Sequence, residues 1–157
     1  DITSGMMIGF DTESRPSFRK GEHHPIALIQ LATRDKAYLV RISRMGFPAE
    51  LNRILSDGSI TKIGLGTRSE IRDLEKACGI PLQGFIDLEM LAQKLKFKQR
   101  GVRALAAHFL KGRISKKAQK SNWERADLTP AQISYAATDA WIVLRIFEEM
   151  RVQGLAD

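Results

Sequence analysis

Two carboxylates spaced two residues apart, Asp11 and Glu13, end an apolar run near the start of the chain. Alternate side chains of a strand point to the same face, so both acids are expected on one face of a strand that begins at residue 6. Neighbouring carboxylates on a core strand repel each other and lose hydration, and a cation between them relieves both costs. The pattern therefore indicates either a cation site or a solvated strand end with two ordinary acids.

A second pair of polar residues, Tyr135 and Asp139, lies near the C-terminus. Thr129, Pro130 and Gln132 match an N-cap, a first helical residue and the third position of a capping box, which predicts that a helix begins here. Tyr135 and Asp139 are four residues apart and share one face of that helix. No basic residue stands beside them at helical spacing, so Asp139 needs water, a metal ion or a distant basic residue as its partner.

The intervening sequence alternates short apolar runs with helix signals. The predicted strands are residues 6–12, 26–33, 37–42, 60–64 and 85–87, and the predicted helices are 48–56, 68–78, 88–96, 101–110 and 130–150. In this order of elements, strands come first and are followed by strands interleaved with helices. Such an order predicts an α/β domain with a mixed sheet. We expect residues 1–157 to form a single domain, trimmed or excised from a longer chain because it begins with Asp1 and not with methionine.

The chain has a formal net charge of +7, from 25 Lys and Arg against 18 Asp and Glu. Much of the excess lies between residues 94 and 125, and Arg15, Arg19 and Lys20 form a second group. Such clusters suit a polyanion such as nucleic acid, and a solvated face is the alternative. No apolar run reaches the roughly 18 residues that span a bilayer. The single Cys78 cannot form an internal disulfide, so we expect an intracellular protein of the cytoplasm, nucleoid or nucleus that is not bound to a membrane.

Several segments of the chain, taken in their order, resemble the DEDDy 3′–5′ exonucleases, which include ribonuclease D and the exonuclease domain of the Werner syndrome protein. The matching segments are Asp11-Thr12-Glu13, Ala27-Leu28-Ile29-Gln30-Leu31, Phe85-Ile86-Asp87, Ser121-Asn122-Trp123, Leu128-Thr129-Pro130-Ala131-Gln132 and Tyr135-Ala136-Ala137-Thr138-Asp139. The resemblance covers nearly the whole chain. It implies a ribonuclease H-like fold, in which helices flank a mixed five-stranded sheet.

The resemblance also implies an activity, which is hydrolysis of phosphodiester bonds at the 3′ ends of DNA or RNA with release of nucleoside 5′-monophosphates. The substrate would be a single-stranded or frayed end, and the cofactor two Mg²⁺ or Mn²⁺ ions, which prefer carboxylate oxygens. By resemblance, Asp11 would bridge both ions. Glu13 and Asp139 would hold the ion that activates water, and Tyr135 would orient that water.

The second acidic motif departs from the family pattern, because Glu70 stands where an aspartate is usual. Thr67 and Glu70 also match a capping box, so Glu70 is predicted either to serve as a metal ligand or to cap its helix. Its side chain is longer than that of aspartate by one C–C bond, about 1.5 Å. Asp73, one turn further along, is the other candidate ligand. The alternative function is a nucleic-acid-binding module on the same fold with weakened or lost catalysis.

Several further side chains are candidates for contact with nucleic acid. They are Arg15, Lys20, His23, Arg103, Leu105, Lys116, Lys117 and Lys120. Leu105 is predicted either to stack on a terminal base or to pack in the core. Trp123 is expected to be buried, and Asp87 to cap the helix that follows it. The sequence does not distinguish DNA from RNA, which depends on contact with a 2′-hydroxyl, and it does not indicate an oligomeric state.

Overall fold

The computed structural model describes residues 1–157 as five strands and six helices. The elements in chain order are β1 (Met7–Ser14), β2 (Ile26–Ala32), β3 (Ala37–Val40), α1 (Ile42–Met45), α2 (Ala49–Ser56), β4 (Thr61–Gly64), α3 (Arg68–Cys78), β5 (Phe85–Asp87), α4 (Leu88–Lys94), α5 (Val102–Leu110) and α6 (Pro130–Val152). All five predicted strands and all five predicted helices are confirmed. The third strand is shorter than predicted, because the one-turn helix α1 begins at Ile42.

The five strands form one sheet in the order β3-β2-β1-β4-β5, which confirms the predicted mixed sheet. β1 is antiparallel to β2, and β2 to β3, whereas β4 runs parallel to both β1 and β5. Because β1 and β4 are parallel neighbours, their carboxyl ends meet at the same edge of the sheet. This edge carries the two acids of β1 and leads from β4 into α3.

Helices cover both faces of the sheet. On one face α4, α5 and α6 pack around a core that includes Leu105, Phe109 and Phe147. On the other, α2 and α3 contribute to a core that includes Phe10 and Leu74. None of the helices combines the length and the hydrophobicity that crossing a bilayer demands.

The burial of Leu105 corrects one sequence-based prediction. Its side chain is 0% exposed within the core between α5 and α6. A nucleic-acid base cannot stack on a side chain that is enclosed on all sides, so the prediction of a nucleic-acid contact for Leu105 is wrong. Core packing, the alternative, is confirmed.

Helix α6 lies unusually close to β1 at Gly9. A Cβ atom on Gly9 would overlap the carbonyl oxygen of Ala140 in α6, so only glycine fits here. Ala136 and Ala140 are both fully buried, and their small side chains keep the helix close to the sheet. This close approach sets the distance between the end of β1 and the middle of α6.

Candidate active site

Three carboxylates from two distant parts of the chain meet at the carboxyl end of β1. Asp11 and Glu13 come from β1, and Asp139 comes from α6. Each residue offers one carboxylate oxygen, and these oxygens lie within 4.8 Å of one another. Glu13 is buried, with 7% of its surface exposed, and the other two are partly buried. We call Asp11, Glu13 and Asp139 the acidic cluster.

Burial raises the pKa of every member of the acidic cluster, and the charges of neighbouring carboxylates raise the pKa of Asp11 and Glu13 further. Burial raises the pKa of Glu13 from 4.5 to about 9, and the charges of Asp11 and Asp139 add to the effect. The pKa of Asp11 is raised well above its ordinary value by burial and then by Asp139. Burial also raises the pKa of Asp139, against the opposing effects of the neighbouring Tyr135 and Asp11 side chains. Without a cation Glu13 therefore keeps its proton at neutral pH.

The donor set of the acidic cluster fits a hard divalent cation. Carboxylate oxygens are the ligands that Mg²⁺ and Mn²⁺ prefer, and a doubly charged ion replaces the protons that the crowded acids otherwise bind. No cysteine or histidine belongs to the cluster, which disfavours a structural zinc site.

Tyr135 lies one helical turn before Asp139, and the two side chains are close enough to affect each other's pKa. Burial and then the neighbouring Asp139 charge raise the pKa of the phenol and keep its proton in place. Its ring lies 6.0 Å from that of Trp123, measured between centroids. Trp123 is fully buried and donates its indole N–H to the carbonyl oxygen of Gln119 at 3.2 Å, which confirms its predicted burial.

Glu70 occupies the first turn of α3 and lies outside the acidic cluster. The predicted capping box is wrong, because the Thr67 side chain makes no cap hydrogen bond; it is buried beside Gly64 instead. Glu70 is half-buried and accepts a hydrogen bond from Ser69 Oγ at 3.0 Å. Its negative charge makes a small contribution to the raised pKa of Asp11, so it lies near the cluster.

Two other acids near this edge have different surroundings. Asp73 is exposed and lines a groove with His23 and Lys76, outside the acidic cluster. Asp87 caps α4, as predicted, because its Oδ1 accepts from the backbone N–H of Glu89 at 2.9 Å. The same oxygen accepts from the N–H of Gly66 at 2.8 Å, so Asp87 also anchors the turn between β4 and α3.

Basic residues surround the approach to the acidic cluster. A cavity of about 340 Å³ lies between the segment 113–118 and α6, and its lining includes Arg113, Lys117, Tyr135 and Asp139. The positive charge of Lys116 lowers the pKa of Asp139, against the effect of burial. Lys116 is therefore a basic residue near Asp139 that the spacing along α6 could not reveal.

The remaining candidate contacts are exposed on the surface. They are Arg15, Lys20, His23, Arg103, Lys117 and Lys120. Arg15, Lys20 and His23 belong to the segment that joins β1 to β2, directly after Glu13. The side chains of these three residues are therefore accessible to a polyanion.

Gln30 on β2 is a buried polar residue at this site that the sequence analysis gave no role. It lies directly opposite Asp11 in the β1–β2 register and is 0% exposed. Its Nε2 donates to Glu13 Oε1 and to the carbonyl oxygen of Ala136, both at 3.4 Å. The signal in the sequence was a single amide in an otherwise apolar strand, Ile26–Ala32.

Comparison with known proteins shows which family the chain belongs to. A family model described as 3′–5′ exonuclease matches residues 2–154. The mouse bifunctional 3′–5′ exonuclease/ATP-dependent helicase WRN is 34% identical over 155 residues, which is 95% of this chain and 11% of the mouse protein. The chain spans about half or less of the length of the curated relatives it first matches.

Two solved structures share the fold. RNase D from Escherichia coli, described as an exoribonuclease involved in structured RNA processing, superimposes with a TM-score of 0.78 at 24% identity, over 94% of this chain and 40% of that one. Brucella melitensis NrnC with bound Mg²⁺ gives a TM-score of 0.76 at 23% identity, over 95% and 75% of the two chains. NrnC has also been solved bound to pGG. These likenesses confirm the predicted ribonuclease H-like fold.

Proposed function

The chain belongs to the 3′–5′ exonuclease family, and on that basis we propose that Asp11, Glu13, Tyr135 and Asp139 are its catalytic residues. The acidic cluster carries this assignment, since three carboxylates from β1 and α6 lie within 4.8 Å of one another. Burying like charges destabilises a fold unless a ligand compensates them. A tyrosine hydroxyl beside one of these carboxylates completes a set that suits metal-assisted hydrolysis.

The proposed cofactor is a pair of divalent ions, Mg²⁺ or Mn²⁺. Asp11, Glu13 and Asp139 would supply carboxylate oxygens to it, and the Mg²⁺ bound to NrnC supports the choice of metal. When bound, two such ions generate a nucleophile from water and stabilise charge on the attacking and leaving oxygens of a phosphodiester. We propose that Asp11, whose pKa is raised by burial and by the nearby charges of Asp139 and Glu70, would contribute oxygen ligands to both ions.

Tyr135 is proposed to orient the attacking water and not to act as a general base. Its raised pKa keeps the phenol protonated, so its hydroxyl can donate one hydrogen bond and accept another. Packing beside the ring of the buried Trp123 fixes the direction of the side chain. Asp139 lies one turn later on α6, which places the Tyr135 side chain beside the cluster.

Glu70 is proposed to complete the site through a water molecule. Its position on the first turn of α3 brings its charge close enough to affect Asp11 but leaves it outside the acidic cluster. A half-buried side chain has access to solvent, and Mg²⁺ usually keeps several of its waters. The longer side chain of glutamate is compatible with this role.

The proposed substrate is the 3′ end of a single-stranded or frayed nucleic acid, and the proposed products are nucleoside 5′-monophosphates. The cavity lined by Arg113 and Lys117 opens beside Tyr135 and Asp139, where a phosphate backbone would meet positive charge. The pGG bound to NrnC supports an oligonucleotide ligand. We propose that the protein works inside the cell, where such ends are found.

Nuclease assays on 3′-labelled oligonucleotides test this proposal. With Mg²⁺ or Mn²⁺, labelled mononucleotide is expected to be the first product, and EDTA should stop its release. Asp11→Asn should lower the rate by at least about 1,000-fold, because transition-state stabilisation of several kcal/mol is lost. Asp73→Asn, an exposed acid of α3, is the matched control and should keep the parent rate. Equal rates for Asp11→Asn and the parent would refute the assignment.

A second candidate function is a nucleic-acid-binding module with weakened catalysis. The position of Glu70 outside the acidic cluster favours it. This function predicts salt-sensitive oligonucleotide binding without metal-dependent cleavage. A strong increase in cleavage by Glu70→Asp would identify a weakened enzyme, whereas unchanged absence of cleavage would favour the binding module.

A further inference from the structure

Gln30 is a buried amide in a position where an apolar side chain would satisfy the packing of the sheet. All of its neighbours within β2, from Ile26 to Ala32, are apolar. Its side chain has no exposed surface, and its Oε1 has no hydrogen-bond partner. A buried unpaired acceptor destabilises the folded state, so the stability of the fold does not explain the presence of glutamine.

The location of Gln30 connects it to the acidic cluster. Cross-strand partners in an antiparallel pair project from the same face, so Gln30 stands beside Asp11 and diagonally next to Glu13. Its Nε2 donates to Glu13 Oε1 and to the carbonyl oxygen of Ala136. One amide group therefore links the carboxylate at the end of β1 to the backbone of α6, and these two elements carry the whole cluster.

We propose that Gln30 is the positioning residue of Glu13, an inference that rests on the proposed metal-dependent function. By binding one oxygen of the Glu13 carboxylate, the amide leaves the other oxygen facing Asp11 and Asp139. The link to Ala136 fixes the amide relative to α6, so the orientation of Glu13 is set with respect to Asp139. Gln30 itself touches neither substrate nor metal in this role.

The chemistry of the amide explains why glutamine suits this position. A lysine would donate a hydrogen bond but would add a positive charge that competes with a divalent cation. A glutamate would add a fourth negative charge to a cluster that already holds protons. A neutral donor orients the carboxylate and leaves the charge of the cluster available to the metal. Partners of this kind outside the ligand set typically change metal affinity or activity by about 10–100-fold.

The test compares the Mn²⁺ dissociation constants of the parent and of Gln30→Met. Electron paramagnetic resonance measures the concentration of the free ion in each titration. Methionine has a similar length and keeps the packing, but it lacks the N–H donor. We expect the dissociation constant for Mn²⁺ to rise by about 10-fold or more. The melting temperature of the metal-free protein should stay the same or rise, because the unpaired Oε1 is removed. At saturating Mn²⁺ the KM for oligonucleotide should match that of the parent.

Gln132→Met is the matched control. Gln132 is also a buried glutamine, but its Nε2 donates to Ser121 and Asn122 and its Oε1 accepts from the Thr129 N–H in the capping box of α6. We expect this variant to lose thermal stability and to keep the parent dissociation constant for Mn²⁺. The pair of variants separates an effect on the fold from an effect on Glu13.

The possible outcomes distinguish this inference from the proposed function. A parent protein that binds no Mn²⁺ would overturn the proposed function itself. If the parent binds Mn²⁺ and Gln30→Met binds it equally well, the positioning role is wrong and the metal site stands. Loss of the folded state in both Gln30→Met and Gln30→Leu would also overturn the positioning role, since the residue would then act on the fold.

Discussion

The junction of β1 with α6 and the junction of β4 with α3 meet at the same edge of the sheet, but they are built differently. At the first, Gly9 lets the backbone of α6 approach β1, and the amide of Gln30 bonds to both elements. At the second, Gly66 adopts a φ of +66°, which favours glycine, and its N–H bonds to Asp87, a residue of the α4 cap. The β1–α6 junction is held by the close packing of the two elements and by the hydrogen bonds of Gln30. The β4–α3 junction is hydrogen-bonded to the N-terminal cap of α4.

The acids at the two junctions differ accordingly. Asp11, Glu13 and Asp139 are brought together by backbone contacts that leave little freedom, and their pKa values rise chiefly because this packing buries them. Glu70 is half-buried, and its hydrogen bond is to the adjacent Ser69. The rigid β1–α6 junction thus presents three carboxylates in a fixed arrangement. The β4–α3 junction presents one longer side chain, Glu70, whose carboxylate can change its position.

The largest effect should come from breaking the contact between β1 and α6 with Gly9→Ala. The added methyl group overlaps the Ala140 carbonyl oxygen, so α6 must shift away from β1. We expect the free energy of unfolding to fall by about 3 kcal/mol or more and cleavage to be lost, because Asp139 moves away from Asp11. Urea denaturation and the 3′-end assay measure both effects.

Gly101→Ala is the control for that substitution, since a Cβ on Gly101 meets nothing within 4 Å and its φ of −73° is ordinary. Its free energy of unfolding should stay within about 0.5 kcal/mol of the parent value. Equal stability of Gly9→Ala and the parent would show that α6 can move without disturbing the site.

A smaller effect is expected at the β4–α3 junction from Glu70→Gln. This variant keeps the shape of the side chain and removes its charge, so cleavage should fall by about 10-fold, much less than for Asp11→Asn. Steady-state rates over a range of Mn²⁺ concentrations will show whether the loss reflects metal binding. A loss as large as that of Asp11→Asn would mean that the two junctions contribute equally.

The pH dependence of stability provides a third comparison. The folded pKa of Glu13 is about 9, against an ordinary value of 4.5, so the unfolded chain binds fewer protons than the metal-free folded chain between these values. The free energy of unfolding in EDTA should therefore fall as the pH rises through this window, by at least about 1 kcal/mol. Glu13→Gln should flatten the curve, and thermal unfolding at several pH values measures it. Stability that rises with pH in EDTA would contradict the pKa shift.

Mn²⁺ should reverse this pH dependence in the parent protein. The ion binds the deprotonated cluster, so its stabilising effect should grow as the pH rises. The increase in melting temperature on adding Mn²⁺ should be small in Glu13→Gln at every pH. A pH-independent increase in the parent would indicate binding elsewhere on the protein.

The smallest effect is expected from Lys116→Met in the basic segment. Removing one charge beside Asp139 should lower the salt dependence of oligonucleotide binding by about one unit of log–log slope, uniformly across sequences. Fluorescence anisotropy at several salt concentrations measures the slope. Lys76→Met, on α3, is the control and should keep the parent slope.

Much of the fold followed from local patterns in the sequence. The capping box at Thr129 and Gln132 forms as predicted, because it depends only on residues three positions apart. The five strands also appear where short apolar runs predicted them. By contrast, the capping box at Thr67 does not form, since the Thr67 side chain packs against Gly64, a contact that the local pattern does not contain.

The sequence by itself determined which side chains could do chemistry, because strand and helix periods place Asp11 with Glu13 and Tyr135 beside Asp139. Only the tertiary structure decided that the two pairs meet, since this depends on how closely α6 packs on β1 at Gly9. The burial of Leu105 and the place of Glu70 outside the acidic cluster were decided in the same way. Contacts between distant segments leave no periodic signal in the chain, and they follow from the packing of whole elements.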